Sequence, residues 1–171
     1  MTARTGRPAD ILRQNEDSGH GGDGWVGRDG TLRTELGTVW AECGVPAECG
    51  RLRSVIMHRP GLEIDHVPDF RAALWLDRID PIKAREQHDG LREFYQAHGV
   101  TVNLLGEANP EKPNSYFCRD PFCMTPDGAI MSRMASAKRA GEERVLAAAL
   151  ARIGVPIAAT ISGAGMYEGA D

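Results

Sequence analysis

Residues Asn114-Ser115-Tyr116-Phe117-Cys118-Arg119-Asp120-Pro121 place a carboxylate, Asp120, within a few positions of an aromatic ring, Phe117, and an amide, Asn114. Those groups suit a planar cation. A carboxylate accepts paired N–H bonds from a guanidinium, and a ring covers one of its faces. The chain ends Tyr167-Glu168-Gly169-Ala170-Asp171, which adds two carboxylates, Glu168 and Asp171. The order describes a site that is begun and not completed.

Other residues with chemical potential have plainer readings. Cys43 and Cys49 have five residues between them and Cys118 and Cys123 have four. Zinc ligands come in tighter pairs, about two to four apart, so no metal is expected. Free, mostly buried thiols in a reducing compartment are expected instead. Cys118 lies close to Asp120, but on a strand its side chain would alternate away from Phe117 and Arg119. His58, His66, His88 and His98 read as structural, with His88 beside Asp89 able to form an ion pair.

The 171 residues are 42% hydrophobic and 26% charged, which suits one soluble globular domain. A net charge of -4 gives no footprint for nucleic acid. No apolar run approaches the roughly 20 residues of a membrane span. The start, Met1-Thr2-Ala3-Arg4-Thr5-Gly6-Arg7-Pro8, has no apolar signal core, and a cytoplasmic location is expected.

Residues 1–33 are rich in Gly, Asp, Arg and Ser and read as a disordered tail, with His20 solvated within it. Order is expected from about Leu36. Arg53–His58 reads as a strand stopped by Arg59-Pro60-Gly61. A long connection holding Phe70, Leu74, Trp75 and Leu76 follows. Asp80 then caps a helix with Pro81 at its first position. Ile82, Leu91, Phe94 and Tyr95 fall at helical spacing, Gly99 closes the helix, and Val100–Leu105 returns as a strand. A second unit repeats the plan. Phe122–Thr125 and Ala129–Met134 flank the turn Pro126-Asp127-Gly128. Ser136 caps a helix whose apolar face is Val145, Leu146, Ala149, Leu150 and Ile153, and Val155–Ala159 is a strand. Strands alternating with helices indicate an α/β fold.

The pattern Asn114-x-x-Phe117-x-Arg119-Asp120, then Arg139, then Glu168-Gly169-Ala170-Asp171 resembles the guanidino-group-modifying (pentein) superfamily. Its members include arginine deiminases, dimethylarginine dimethylaminohydrolases and amidinotransferases. Upstream, Glu48 to Gly61 looks like the opening strand of those enzymes, and Gln87-His88-Asp89 also matches. The resemblance covers residues 47–171. It implies a five-bladed α/β propeller of ββαβ modules, of which residues 34–171 would supply about two. Two blades leave apolar flanks and strand edges open. A complementary C-terminal segment or chain, or self-association, is therefore expected.

In the enzymes it resembles, a cysteine attacks the guanidino carbon, a histidine transfers protons and two carboxylates hold the cation. By motif match, Asp120 is the first such carboxylate and Glu168 the second. Asn114 and Phe117 line the pocket, Arg139 meets a substrate carboxylate or another anion, and Asp171 supports the histidine. The family's cysteine and histidine lie beyond the Glu-Gly-Gly-Asp-like motif and have no counterpart here. The resemblance implies a small guanidino substrate such as arginine and no cofactor, and it leaves hydrolysis and amidino transfer open. The alternatives are a non-catalytic guanidinium-binding or interaction protein built on the same half-site, and an unrelated α/β domain.

Overall fold

The computed structural model describes residues 25–106 and 109–170. Most of the expected tail, including His20, and also Asp171, lie outside the described residues. The chain divides into two units, Met1–Thr34 and Glu35–Asp171. In the first, Trp25 and Val26 are exposed. There Thr31 and Thr34 bond one another, with Thr34 Oγ1 donating to the Thr31 carbonyl at 2.8 Å, where a single helical turn begins at Leu32–Glu35.

The second unit opens with β1, Ser54–Met57, whose β-branched centre favours extended backbone. Helix α1, Pro81–Ala97, starts as its sequence dictates. Asp80 accepts from the Ile82 and Lys83 N–H groups at 2.9 and 3.1 Å, and Pro81 needs no partner at the first position. Strand β2, Thr101–Leu104, pairs in parallel with β1, from Ser54↔Thr101 to Met57↔Leu104. A parallel pair needs a crossover, and α1 is that crossover.

The second plan adds a strand. Strands β3, Phe122–Thr125, and β4, Gly128–Met131, form an antiparallel hairpin. Helix α2, Glu142–Arg152, carries the chain to β5, Ile157–Thr160, which lies parallel to β4. The core forms where Leu146 and Leu150 of α2 pack with Ala129 and Met131 of β4, Cys118 and Val155. Each of these is under 9% exposed. The α/β class is therefore observed, as two sheets with orders β1-β2 and β3-β4-β5.

Two local expectations are corrected. Ser136 does not cap α2. It opens a separate turn, accepting from Lys138 N–H on its hydroxyl and from Arg139 and Ala140 N–H on its carbonyl. The helix waits for Gly141, which has φ +96°, a conformation that only glycine adopts without strain. The Glu143 carboxylate satisfies the entrance instead, accepting from Gly141 N–H and Met134 N–H at 2.7 Å each. Residues 114–121 are also consecutive turns rather than strand, with Phe117 N–H donating to Asn114 O at 3.0 Å. The alternation argument for Cys118 therefore fails, and the turn itself buries the thiol.

Much apolar surface stays open. No residue of α1 is fully buried, Ile82 and Phe94 are more than half exposed, and every residue of β5 is exposed. No helix among the described residues is long and apolar enough to cross a membrane.

His88 and Asp89 diverge. Asp89 receives a bidentate bond from Arg59, with Nε to Oδ1 at 2.9 Å and Nη2 to Oδ2 at 2.8 Å. His88 Nδ1 stays 4.0 Å from Asp89, beyond hydrogen-bond reach, and both its ring nitrogens are buried without a partner. Burial holds the imidazole below its ordinary value of 6.5, with Asp89 opposing that shift. Below that value the unfolded chain takes the proton first, so stability falls as pH drops through the window just under 6.5. Melting temperature measured between neutral and mildly acidic pH should drop less in His88→Leu than in the parent chain. An identical drop in both proteins would assign the acid sensitivity elsewhere.

Candidate guanidinium site

The turn carrying Asp120 is rooted in the core. Cys118 on one side is 7% exposed, and Pro121 on the other is fully buried and accepts from Ser132 N–H at 2.9 Å. Between them Asp120 turns outward, its side chain 19% exposed. Phe117 remains 46% exposed, and its ring centre lies 4.2 Å from that of Tyr116. A cavity of about 590 Å³ opens beside this turn, walled by Val55, Ile56 and Met57 of β1 and by Ala84 and Leu91 of α1. Residues Tyr116 to Asp120 form another side.

Asp120 is paired within the chain. Its Oδ2 accepts from Arg139 Nη1. Arg139 also donates through Nε and Nη2 to Glu142 Oε2, at 3.0 and 2.8 Å, and through Nη2 to the Phe117 carbonyl at 3.4 Å. Its guanidinium carbon lies 5.7 Å from the Phe117 ring centre. Burial pulls the Arg139 pKa down, but the two carboxylates outweigh it and hold the group above its ordinary value. Burial pushes the Glu142 carboxyl up, and Arg139 opposes it. We take the ionised pair as the resting form, because Glu142 Oε2 accepts two directed N–H bonds. A guanidinium has five N–H groups. Four of these hydrogen bonds are made here, so one N–H of Arg139 remains for an external anion.

Asn114 is buried at 4% exposure, and its carboxamide contacts the long connection. Oδ1 accepts from Trp75 Nε1 at 2.7 Å, and Nδ2 donates to the Ala73 carbonyl at 2.9 Å. Glu168 lies on a segment docked against both the turn and the end of β4. Arg133 and Tyr167 exchange backbone bonds of 3.1 Å each, and Glu168 Oε1 accepts from Ala135 N–H at 3.2 Å. Gly169 N–H donates to the Asp120 carbonyl at 2.6 Å. The two stretches bearing carboxylates thus meet at their backbones. Asp171, the remaining member of the expected set, lies outside the described residues.

Two partners went unread in the sequence, Glu142 beside Arg139 and Glu63 beside His58. Glu142 sits three residues after Arg139, a spacing at which opposite charges meet once the backbone turns helically, and that was the available signal. The other belongs to a buried pair in which His58 Nε2 lies 3.2 Å from Glu63 Oε1, which also accepts from Gly61 N–H at 2.8 Å. Burial pushes Glu63 up, yet its bonds with His58 and Gly61 more than compensate and hold it below the usual carboxylate range. The surroundings of Cys118 disfavour its thiolate. Burial pushes its thiol up to about 12, so it stays protonated at neutral pH.

Two outcomes follow from this geometry. Arg139→Ala leaves Glu142 buried without its cation, which typically costs about 3–5 kcal/mol. Urea unfolding should show that loss, and a change below about 1 kcal/mol would mean the network contributes little. Gly169→Ala places a methyl group 2.0 Å from the Phe122 carbonyl oxygen and 2.6 Å from that of Arg119. The segment must then lift, and amide exchange should speed up at Arg133 and Tyr167 while the α2 amides keep their protection.

Comparison with known proteins gives the family of this chain. The family model described as N,N dimethylarginine dimethylhydrolase, eukaryotic, matches residues 77–168, more than half of the chain. An arginine deiminase of Rhodococcus erythropolis is 41% identical over 71 residues, covering 37% of this chain and 16% of that enzyme. A cysteine-to-serine mutant of the dimethylarginine dimethylaminohydrolase of Pseudomonas aeruginosa, complexed with citrulline, aligns at a TM-score of 0.59 and 25% identity. That alignment covers 70% of this chain and 46% of the other. A dimethylarginine dimethylaminohydrolase adduct with 4-chloro-2-hydroxymethylpyridine aligns at 0.57 and 26%, over 70% of this chain and 44% of that one. The chain thus spans less than half the length of the relatives it matches. With its Asn114–Asp120 turn and α/β units, it belongs to the N,N dimethylarginine dimethylhydrolase family and, through it, to the pentein superfamily.

Proposed function

We propose that this chain is the N-terminal portion of an enzyme acting on a guanidino substrate such as arginine. The covalent cysteine and the proton-transferring histidine would come from outside these 171 residues. The observation that carries the proposal is Asp120, a partly buried carboxylate beside an aromatic ring at the edge of a cavity. The way it holds Arg139 supports this role, since one guanidinium already binds to it with an aromatic face nearby.

In the proposed reaction, Asp120 and Glu168 fix the substrate guanidinium so that its central carbon faces a thiolate. The thiolate adds to that carbon, and ammonia or an amine departs with a proton delivered by the histidine. Water then releases the thiol and a ureido product, or an amine takes the amidino group in a transferase. Phe117 would line the pocket, and Asn114 would support its wall. Arg139 would offer its one remaining N–H to a distal substrate carboxylate, and Asp171 would support the histidine.

The strand-strand-helix-strand order of β3-β4-α2-β5 supports a propeller to which residues 34–171 contribute about two of five modules. The exposed β5 and the open face of α1 support a complementary C-terminal segment or chain, or a second copy, as the partner. The cytoplasm is the proposed location. A non-catalytic guanidinium-binding role is the second reading, favoured by the high pKa of Cys118, the thiol closest in sequence to Asp120.

The isolated chain should not turn over arginine. In the enzyme completed with its other segment, Asp120→Asn keeps the shape but removes the charge and points a donor at N–H groups. Two charge-assisted bonds lost in the transition state amount to about 3 kcal/mol, or on the order of a hundredfold in rate. Steady-state assay of citrulline and ammonia checks this. Near-normal efficiency in a folded Asp120→Asn enzyme would remove Asp120 from the chemistry, and rapid turnover by the isolated chain would show that the nucleophile lies within it.

A further inference from the structure

Asn114 begins the turn that presents Phe117 and Asp120, yet its side chain faces another part of the chain. The two partners of its carboxamide, Trp75 Nε1 and the Ala73 carbonyl, flank a single residue, Leu74. Leu74 has φ +69° and is, among the described residues, the one non-glycine residue with a positive φ. A leucine in that region is strained, and the strain persists only where surrounding contacts over-determine it. Local bonds do part of this, with Leu74 N–H donating to Arg71 O at 2.9 Å and Trp75 N–H to Phe70 O at 2.8 Å. Arg78 steadies the earlier residues through the Val67 and Pro68 carbonyls. Among the described residues, the hydrogen bonds that tie the strained residue's two neighbours to a distant stretch are those to Asn114.

The residue type is dictated. An indole N–H only donates and a carbonyl only accepts, so their common partner must do both over the span of one short side chain. Asparagine does so. Aspartate would set an oxygen against the Ala73 carbonyl. Asn114 also passes the constraint onward, because its own carbonyl accepts from Phe117 N–H and the Phe117 carbonyl accepts from Asp120 N–H.

We propose that Asn114 is a positioning residue that couples the 69–76 loop to the guanidinium turn, so that Phe117 and Asp120 reach their places only when the loop is seated. The value of that coupling for ligand binding rests on the guanidinium reading above. The mechanical coupling does not. The loop also carries Leu74 and Leu76, 58% and 102% exposed, so its seating sets where two apolar side chains stand relative to the turn.

The test is residue-resolved amide exchange on the intact chain, with Trp75→Phe removing the indole N–H while keeping aromatic bulk. Exchange should rise about tenfold, the equivalent of one hydrogen bond, at Leu74 and Trp75 and also at Phe117 and Asp120, with α1 and α2 unchanged. Asn114→Asp should reproduce that pattern. A rise confined to the loop overturns the coupling. A uniform rise reaching both helices overturns it as well, because Trp75 then supports the fold at large. Arginine affinity, by calorimetry on the protein completed with its other segment, separates the two claims. Trp75→Phe should weaken arginine about tenfold by the same reckoning. Unchanged affinity in Trp75→Phe beside an impaired Asp120→Asn overturns the coupling's role in binding. Unchanged affinity in Asp120→Asn overturns the guanidinium reading and leaves the exchange result to decide the mechanical claim.

Discussion

The site depends on one buried cation. Arg139 lies between Asp120 and Glu142, with side-chain exposures of 9%, 19% and 2%. Taking three charges out of water is costly, and the cost is met only where directed hydrogen bonds replace the lost hydration. Arg139 makes four such bonds, and together they fix three partners. The pair to Glu142 ties it to the first residue of α2. The bond to Asp120 aims that carboxylate, and the bond to the Phe117 carbonyl holds the turn between them. Two carboxylates and one guanidinium leave a single net negative charge, the complement of one further cation.

Three stretches far apart in sequence converge on that cation or on the turn it holds. The 114–121 turn enters the core through Cys118 and Pro121. The 136–142 stretch delivers Arg139 from a turn that Ser136 starts and Gly141 ends. The 165–169 segment is held by the Arg133–Tyr167 bridge and by the bond from Gly169 to the Asp120 carbonyl. At Gly169 the close approach leaves no room for a side chain. Sites held this way owe their precision to backbone contacts rather than to flexible side chains.

Local signals in the sequence located the elements well where the physics is local. The Asp80-Pro81 start of α1, the Phe122–Thr125 strand and the Leu146, Ala149 and Leu150 part of the α2 apolar face follow from neighbouring residues and stand where their patterns point, whereas Val145, expected on that face, is exposed. Ser136 misled because its hydroxyl serves a turn as readily as a helix, and only the long-range bond from Met134 N–H to Glu143 identifies the true entrance. The residues around Cys118 read as strand, whereas the structure makes them turns, with Cys118 in the core cluster beside Leu146 and Leu150 of α2. Family resemblance pointed to Asp120 and to the chain stretch holding Glu168. The commitments of Asn114 to Trp75 and of Arg139 to Glu142 depend on contacts that spacing alone does not specify.

The pairing of Asp120 with Arg139 bears on how a ligand could share the site. An ionised carboxylate has about four acceptor positions on two oxygens. Arg139 engages Oδ2 from one side, and among the described residues none bonds to Oδ1. Asp120 therefore keeps capacity for a second guanidinium without releasing the first. Arg139 is nearly saturated, with one N–H left, so it cannot grip a carboxylate in the bidentate manner of a free arginine unless it gives up Glu142 or Asp120. Giving up Glu142 would strand a buried charge whose other oxygen already lacks a partner. The balance favours an Arg139 that stays in place, orienting Asp120 and offering an anionic group no more than its one remaining N–H. Under the proposed function, ligand selectivity would then fall on Oδ1 of Asp120, on the Phe117 ring, and on the groups that complete the cavity.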